Sequence, residues 1–149
     1  MHVVAGLDEL VQLVGVSESE LMERWGDAPV SRSAPRDYEG LKGLTLLQSP
    51  SQPGVYAYLK DQRVTLVHVA GGTALAGADA TVLREVLGPA AGELRSREGK
   101  QYRLYVWPEA GIAASLRHAH EVGFVELFEP TSMESYEADV YIDVGSFTK

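Results

Sequence analysis

Histidines and carboxylates are the first residues in this sequence whose types suit chemistry. His118 and His120 stand two apart just ahead of Val122, so in extended backbone their side chains point the same way. A zinc site would need at least one further ligand, with His68 or Glu126 as candidates. Two histidines in a surface segment are more often solvated, so the expectation is that no metal binds. Gly71-Gly72 with Gly77 suggests a phosphate loop, but it lacks both the Gly-Lys-Ser/Thr of a P-loop and the spacing of a dinucleotide fingerprint, and reads as a linker. No Gly-x-Ser-x-Gly or His-Glu-x-x-His occurs, and no recognisable motif places paired carboxylates. The chain has no cysteine, which removes disulfides, thiolate ligands and a cysteine nucleophile together. The expectation is a non-enzymatic protein without a cofactor. A Ser/His/Asp set assembled only in space stays open, as part of an alternative reading: a small hydrolase or a ligand- or metal-binding protein using the cleft between the two halves of the chain.

A second constellation suits binding. Alternation over residues 54–60 sets Val55, Ala57 and Leu59 on one face of a strand and Tyr56 and Tyr58 on the other. Over 101–107, Tyr102, Leu104 and Val106 alternate with Arg103, Tyr105 and Trp107. If helices cover the first set in each strand, the opposite sheet face presents Tyr56, Tyr58, Arg103, Tyr105 and Trp107. Matching the following strands adds Leu66 and His68 in one half of the chain, and Phe124, Glu126 and Phe128 in the other. Tyr, Trp and Arg dominate binding hot spots. A contiguous aromatic face implies either a partner or burial, within the chain or in a homodimer.

The elements that must position these residues are announced by a repeat. Residues 15–26 and 77–88 share their pattern at a constant offset of 62, with Leu21/Leu83 and Glu23/Glu85 identical. In the first copy Ser17 and Glu20 form a capping box, and Val16 and Leu21 are placed as a hydrophobic staple. Leu21, Met22 and Trp25 make the apolar stripe, and Gly26 is the stop. In the second copy Asp79 caps, Ala78 and Leu83 staple, Leu83, Val86 and Leu87 form the stripe, and Gly88-Pro89 ends the helix. Before the first copy, Leu7, Leu10, Val11 and Val14 predict a helix over 6–14.

Residues 29–40 read as a loop, followed by strands over 41–48, 54–60 and 64–70, with Gly71-Gly72 as the boundary. Residues 73–76 allow a single turn, and 89–100 read as a second loop. Strands over 101–107, 111–117 and 122–128 follow, the last two echoing 54–60 and 64–70. Thr131 with Glu134 is a further capping box opening a short helix, and the alternation of Val140, Ile142 and Val144 suggests a terminal strand. The fold class implied is α+β. It has two related units, each of short helices followed by a three-stranded antiparallel meander. They cover 1–70 and 71–149, the second with a C-terminal helix/strand extension.

Net charge is −8, from 13 basic and 21 acidic residues, which argues against a nucleic-acid partner. The predicted helix pair displays Asp8, Glu9, Glu18, Glu20 and Glu23, which would repel phosphate. No apolar run approaches the roughly 20 residues of a membrane span. The start, Met1-His2-Val3-Val4, lacks the form of a secretion signal. A cytoplasmic location is favoured, with export the expectation if a signal was removed ahead of Met1.

Gly15, Ser17, Leu21, Trp25, Gly26 and Pro29, matched in the second copy by Gly77, Asp79, Leu83, Leu87, Gly88 and Pro89, resemble the unit of the SmpA/OmlA outer-membrane lipoproteins. The tandem arrangement is similar to the β-lactamase-inhibitor proteins, which double a helix–helix–sheet unit. The sequence departs from both in lacking a lipoprotein cysteine and the inhibitors' disulfides. The resemblance implies that fold and a habit of binding proteins through the sheet, and carries over no catalytic residue. The function expected is a protein-binding module acting through its aromatic face, on another protein or on a second copy of itself.

Overall fold

A computed structural model describes residues 7–26, 29–71, 79–118 and 120–143. Helix α2 (Glu18–Trp25) forms where local chemistry directs it: Ser17 Oγ accepts from the Glu20 N–H at 3.2 Å. The Glu20 carboxylate does not turn back to complete the box, and pairs instead with Arg24 one turn on, at 2.6 Å. Gly26, at φ +76°, ends the helix in a conformation that side chains disfavour. Helix α3 (Ala80–Leu87) has the same signals, with the Asp79 carboxylate accepting from the Thr81 N–H at 2.7 Å and Gly88 at the end. Helix α1 (Leu7–Val11) is shorter than the predicted 6–14. Its chain tightens into i→i−3 bonds at Leu13 and Val14, and Gly15 N–H then bonds the Val64 carbonyl at 2.8 Å. Residues 73–78, which hold the predicted single turn, Gly77 and Ala78, lie outside the described residues.

Eight strands form one antiparallel sheet: β1 (Ser31–Tyr38), β2 (Leu41–Gln48), β3 (Val55–Lys60), β4 (Arg63–Ala70), β5 (Gly92–Arg95), β6 (Arg103–Trp107), β7 (Ile112–Arg117) and β8 (Glu121–Phe128). Their order is β1-β2-β3-β4-β8-β7-β6-β5, so the protein is α+β. Two strands, β1 and β5, occupy segments expected to be loops. Both are edge strands, and β1 is exposed along nearly its whole length, so no hydrophobic alternation marks it. After β8, α4 (Met133–Ser135) is capped by Ser132 rather than Thr131 and runs on into a π-helical turn, Tyr136–Val140. The terminal strand expected from Val140 and Ile142 does not form within the described residues. Among those residues, no helix is long and apolar enough to cross a membrane.

The sheet separates two cores. On one face Leu7, Leu10, Leu21, Trp25, Ala80 and Leu83 from the helices pack on Val55, Ala57, Leu59, Val67, Val69, Ala114, Val125 and Leu127. On the other, Tyr38, Leu46, Tyr58, Leu66, Leu104, Val106, Phe124 and Phe128 pack with Tyr136 and Val140 of the C-terminal segment.

That second face is concave. In a flat sheet β1 would lie about 19 Å from β8, four strand spacings away, beyond the reach of a tyrosine. Yet Tyr38 at the end of β1 touches Glu126 of β8. From the other edge, Arg97, just past β5, reaches Glu39 in the β1–β2 turn at 2.6 Å. Register shifts in the β1–β2, β3–β4 and β7–β8 pairs add local bends to the ordinary strand twist. The C-terminal segment lies across the resulting cup. Gly40 N–H bonds the Val140 carbonyl at 2.8 Å, and a Cβ on Gly40 would stand 2.7 Å from the Asp139 carbonyl oxygen, so only glycine permits this approach.

Candidate functional site

Glu126 alternates with Phe124 and Phe128 along β8, which carries its carboxylate into the cup, where it is 1% exposed. A buried carboxylate must be satisfied. The Tyr136 hydroxyl donates to Oε1 at 2.5 Å and the Tyr38 hydroxyl donates to Oε2 at 2.6 Å. Arg97 Nη1 lies 3.9 Å from Oε2. Burial raises the Glu126 pKa above its ordinary value, against the lowering pull of the two hydroxyls and Arg97. Burial, then the nearby Glu126, raises both tyrosines well above theirs. One carboxyl group thereby holds the end of β1 and the C-terminal segment onto the central strand of the cup.

Arg97 forms the second layer. Its guanidinium sits over the rings of Phe124 and Tyr38, 4.5 and 4.9 Å from their centroids. Nη1 donates to Glu39, and Nη2 donates to the Tyr38 hydroxyl oxygen at 2.9 Å. His68 on β4 completes the group. It faces Glu126 across the β4–β8 pair, stacks on Phe124 and meets the edge of Tyr56. Its Nδ1 is 2.9 Å from the Tyr38 oxygen and 3.3 Å from Arg97 Nη2. Burial first, and Arg97 second, lower the His68 pKa to about 4, so the ring is neutral near pH 7.

The residues expected on one aromatic face divide between two. Leu66, Phe124 and Glu126 are buried in the cup, Tyr58 is 9% exposed there against Tyr38, and Tyr56 and His68 are half-buried at its mouth. Arg103, Tyr105 and Trp107 lie on the helix side, because it is Leu104 and Val106 that enter the cup. The physical reason is the end of α3: the Gly88 carbonyl accepts from Trp107 Nε1–H at 2.9 Å and fixes that indole beneath the helix. Arg84 then covers Tyr105 at 4.4 Å, and Arg103 pairs on the surface with Glu93 at 3.0 Å.

His120 Nδ1 lies 2.8 Å from the Asp79 carboxylate at the start of α3. No group of three or more His, Asp or Glu side chains is placed for a metal among the described residues. The junction where the alternative reading puts a cleft is spanned by the β4–β8 pair, from Leu66↔Phe128 to Ala70↔Phe124.

The chain matches no known family model, no characterised protein and no solved structure. Three of the site's members, Tyr38, Arg97 and Tyr136, escape sequence reasoning because they come from segments without periodic pattern. Glu126, a lone acid between two phenylalanines on a strand, is the signal that could have pointed to them.

Proposed function

We propose that this protein is a non-enzymatic binding module whose docking site is the mouth of the cup, at Tyr56, His68, Arg97 and Glu39, with a protein or a second copy of the chain as partner. The observation that carries this reading is the state of Arg97. Its guanidinium is held by Glu39, Tyr38 and two aromatic rings, yet a third of its side chain, 33%, is open to solvent beside half-buried Tyr56. An arginine already fixed in place, one residue across His68 from half-buried Tyr56, loses little conformational entropy on binding and is of the type that dominates hot spots. Tyr58, Leu66, Phe124 and Glu126 support this mouth from below, and Arg103, Tyr105 and Trp107 fall outside it.

Descent from a duplicated unit belongs to the same proposal. In its favour are the matched caps of α2 and α3, their glycine stops at nearly the same φ, +76° and +78°, and two runs of four strands that each follow one such helix. Binding through the sheet would then follow the habit that the resemblance to β-lactamase-inhibitor proteins implies.

The test compares the full chain with Tyr56→Ala and with a helix-side control, Met22→Ala, as bait, beside sedimentation of each alone. The proposal expects a specific partner, or self-association, that survives Met22→Ala and is lost in Tyr56→Ala. Equal retention by both variants would overturn it.

A further inference from the structure

We propose that the Arg97 clasp is a pH-sensitive gate: a proton taken up by His68 drives Arg97 from Tyr38 and Glu39 and opens the mouth of the cup. The geometry makes the two cations competitors for one place. Arg97 Nη2 is 3.3 Å from His68 Nδ1, and both groups address the same Tyr38 oxygen. The titratable or charged groups facing His68 are Tyr56 from β3, Tyr38 from β1, Arg97 from the β5–β6 loop and Glu126 from β8, with Glu39 of the β1–β2 turn beyond Arg97.

The acid facing the ring directly is Glu126, across the β4–β8 pair, and its pKa is raised by burial. It therefore takes up its own proton before an ordinary carboxyl would, and its attraction fades as acid is added. The part that yields is also evident: Arg97 belongs to an irregular segment between β5 and β6, whereas His68 and Glu126 are fixed in paired central strands.

The sign follows from linkage. Burial first, and Arg97 second, hold the His68 pKa at about 4 in the closed form; withdrawing Arg97 removes its repulsion and uncovers part of the ring, so the pKa rises towards 6.5 and acid favours the open form. Full recovery of 6.5 sets the upper bound on this shift, roughly 80-fold in the open-to-closed ratio at pH 4.5. As regulation of the docking site, the gate rests on the binding proposal. As a property of the free protein, it does not.

The experiment therefore uses the free, full chain. Hydrogen exchange, corrected for intrinsic rates, is followed at residues 36–40 and 96–99 at about pH 7.5 and about pH 4.5, together with an NMR titration of the His68 ring. The gate predicts a tenfold or greater loss of protection at both segments in acid while β7 and β8 hold, and no such loss in His68→Phe. Should His68→Phe not fold, Arg97→Gln supplies the comparison, with segments 36–40 and 96–99 already unprotected at neutral pH and insensitive to acid. Equal acid loss in His68→Phe, undiminished neutral protection in Arg97→Gln, no loss in the wild type, or a His68 midpoint at 6.5 with the clasp intact would each overturn the inference.

Discussion

On the helix-covered face Leu21, Trp25 and Leu83 meet Val67, Val69, Val125 and Leu127, and among the described residues no ionisable side chain is fully buried there. On the cup face the same strands contribute Leu66, His68, Phe124, Glu126 and Phe128, closed by Tyr38, Arg97 and Tyr136. The first face is held by apolar burial, which is non-directional and almost indifferent to pH. The second is held by hydrogen bonds to buried or half-buried ionisable groups, which are directional and tied to protonation. Alternation along a strand thus gives one sheet two kinds of cohesion, and the pH-sensitive kind surrounds His68, where Arg97 and Tyr56 both meet it at the mouth of the cup.

The contrast can be broken by substitution. The largest effect is expected on the helix side: Leu21→Ala, at a fully buried position, should cost about 2–5 kcal/mol in chemical unfolding, with the same cost at pH 7 and pH 5. A cost that changes with pH would blur the two faces.

Next comes the acid response of the cup. The folded state lowers the His68 pKa to about 4, so its contribution is complete above 6.5 and is lost as pH falls towards 4, by up to roughly 3 kcal/mol. Glu126 acts in the opposite sense. Its raised pKa means that its favourable contribution is present below the ordinary carboxyl range and lost as pH rises, so it offsets part of the His68 effect. Unfolding midpoints across this range should therefore fall more steeply in Glu126→Gln than in the wild type and less steeply in His68→Phe.

Tyr136→Phe leaves one buried Glu126 oxygen without its donor, at a cost of about 1–2 kcal/mol near pH 7. The loss should be accompanied by faster hydrogen exchange at Gly40, whose amide bonds Val140. Smallest, Ser17→Ala removes a cap on the apolar side and should cost about 1 kcal/mol without altering the acid response.

The same contrast explains what the sequence could reveal. Helices α2 and α3 are legible because caps and glycine stops act within a few residues, and the inner strands are legible because they alternate. Strand β1 reads as a loop because Ser, Pro and Arg fill an exposed edge, and β5 because four residues are too few for a pattern. In β6 one set is apolar and the other, apart from Arg103, is aromatic, so periodicity finds the strand but not its orientation. That was decided by Trp107 meeting the carbonyl of Gly88, the residue that caps α3, 19 residues away. The cup was least legible, since Tyr38 and Glu126 are 88 residues apart and their contact requires the sheet to curl.

The site depends on that curl, drawn shut by Arg97 and Glu39. A double-mutant cycle with Glu39→Ala, Arg97→Ala and the pair, read by urea unfolding at low salt near pH 7, tests it most directly. Their side chains are 17% and 33% exposed and joined by a 2.6 Å bond, and the cycle should give a coupling of at least about 0.5 kcal/mol. Single effects that add to within about 0.3 kcal/mol would place the two residues apart and leave the cup without its clasp.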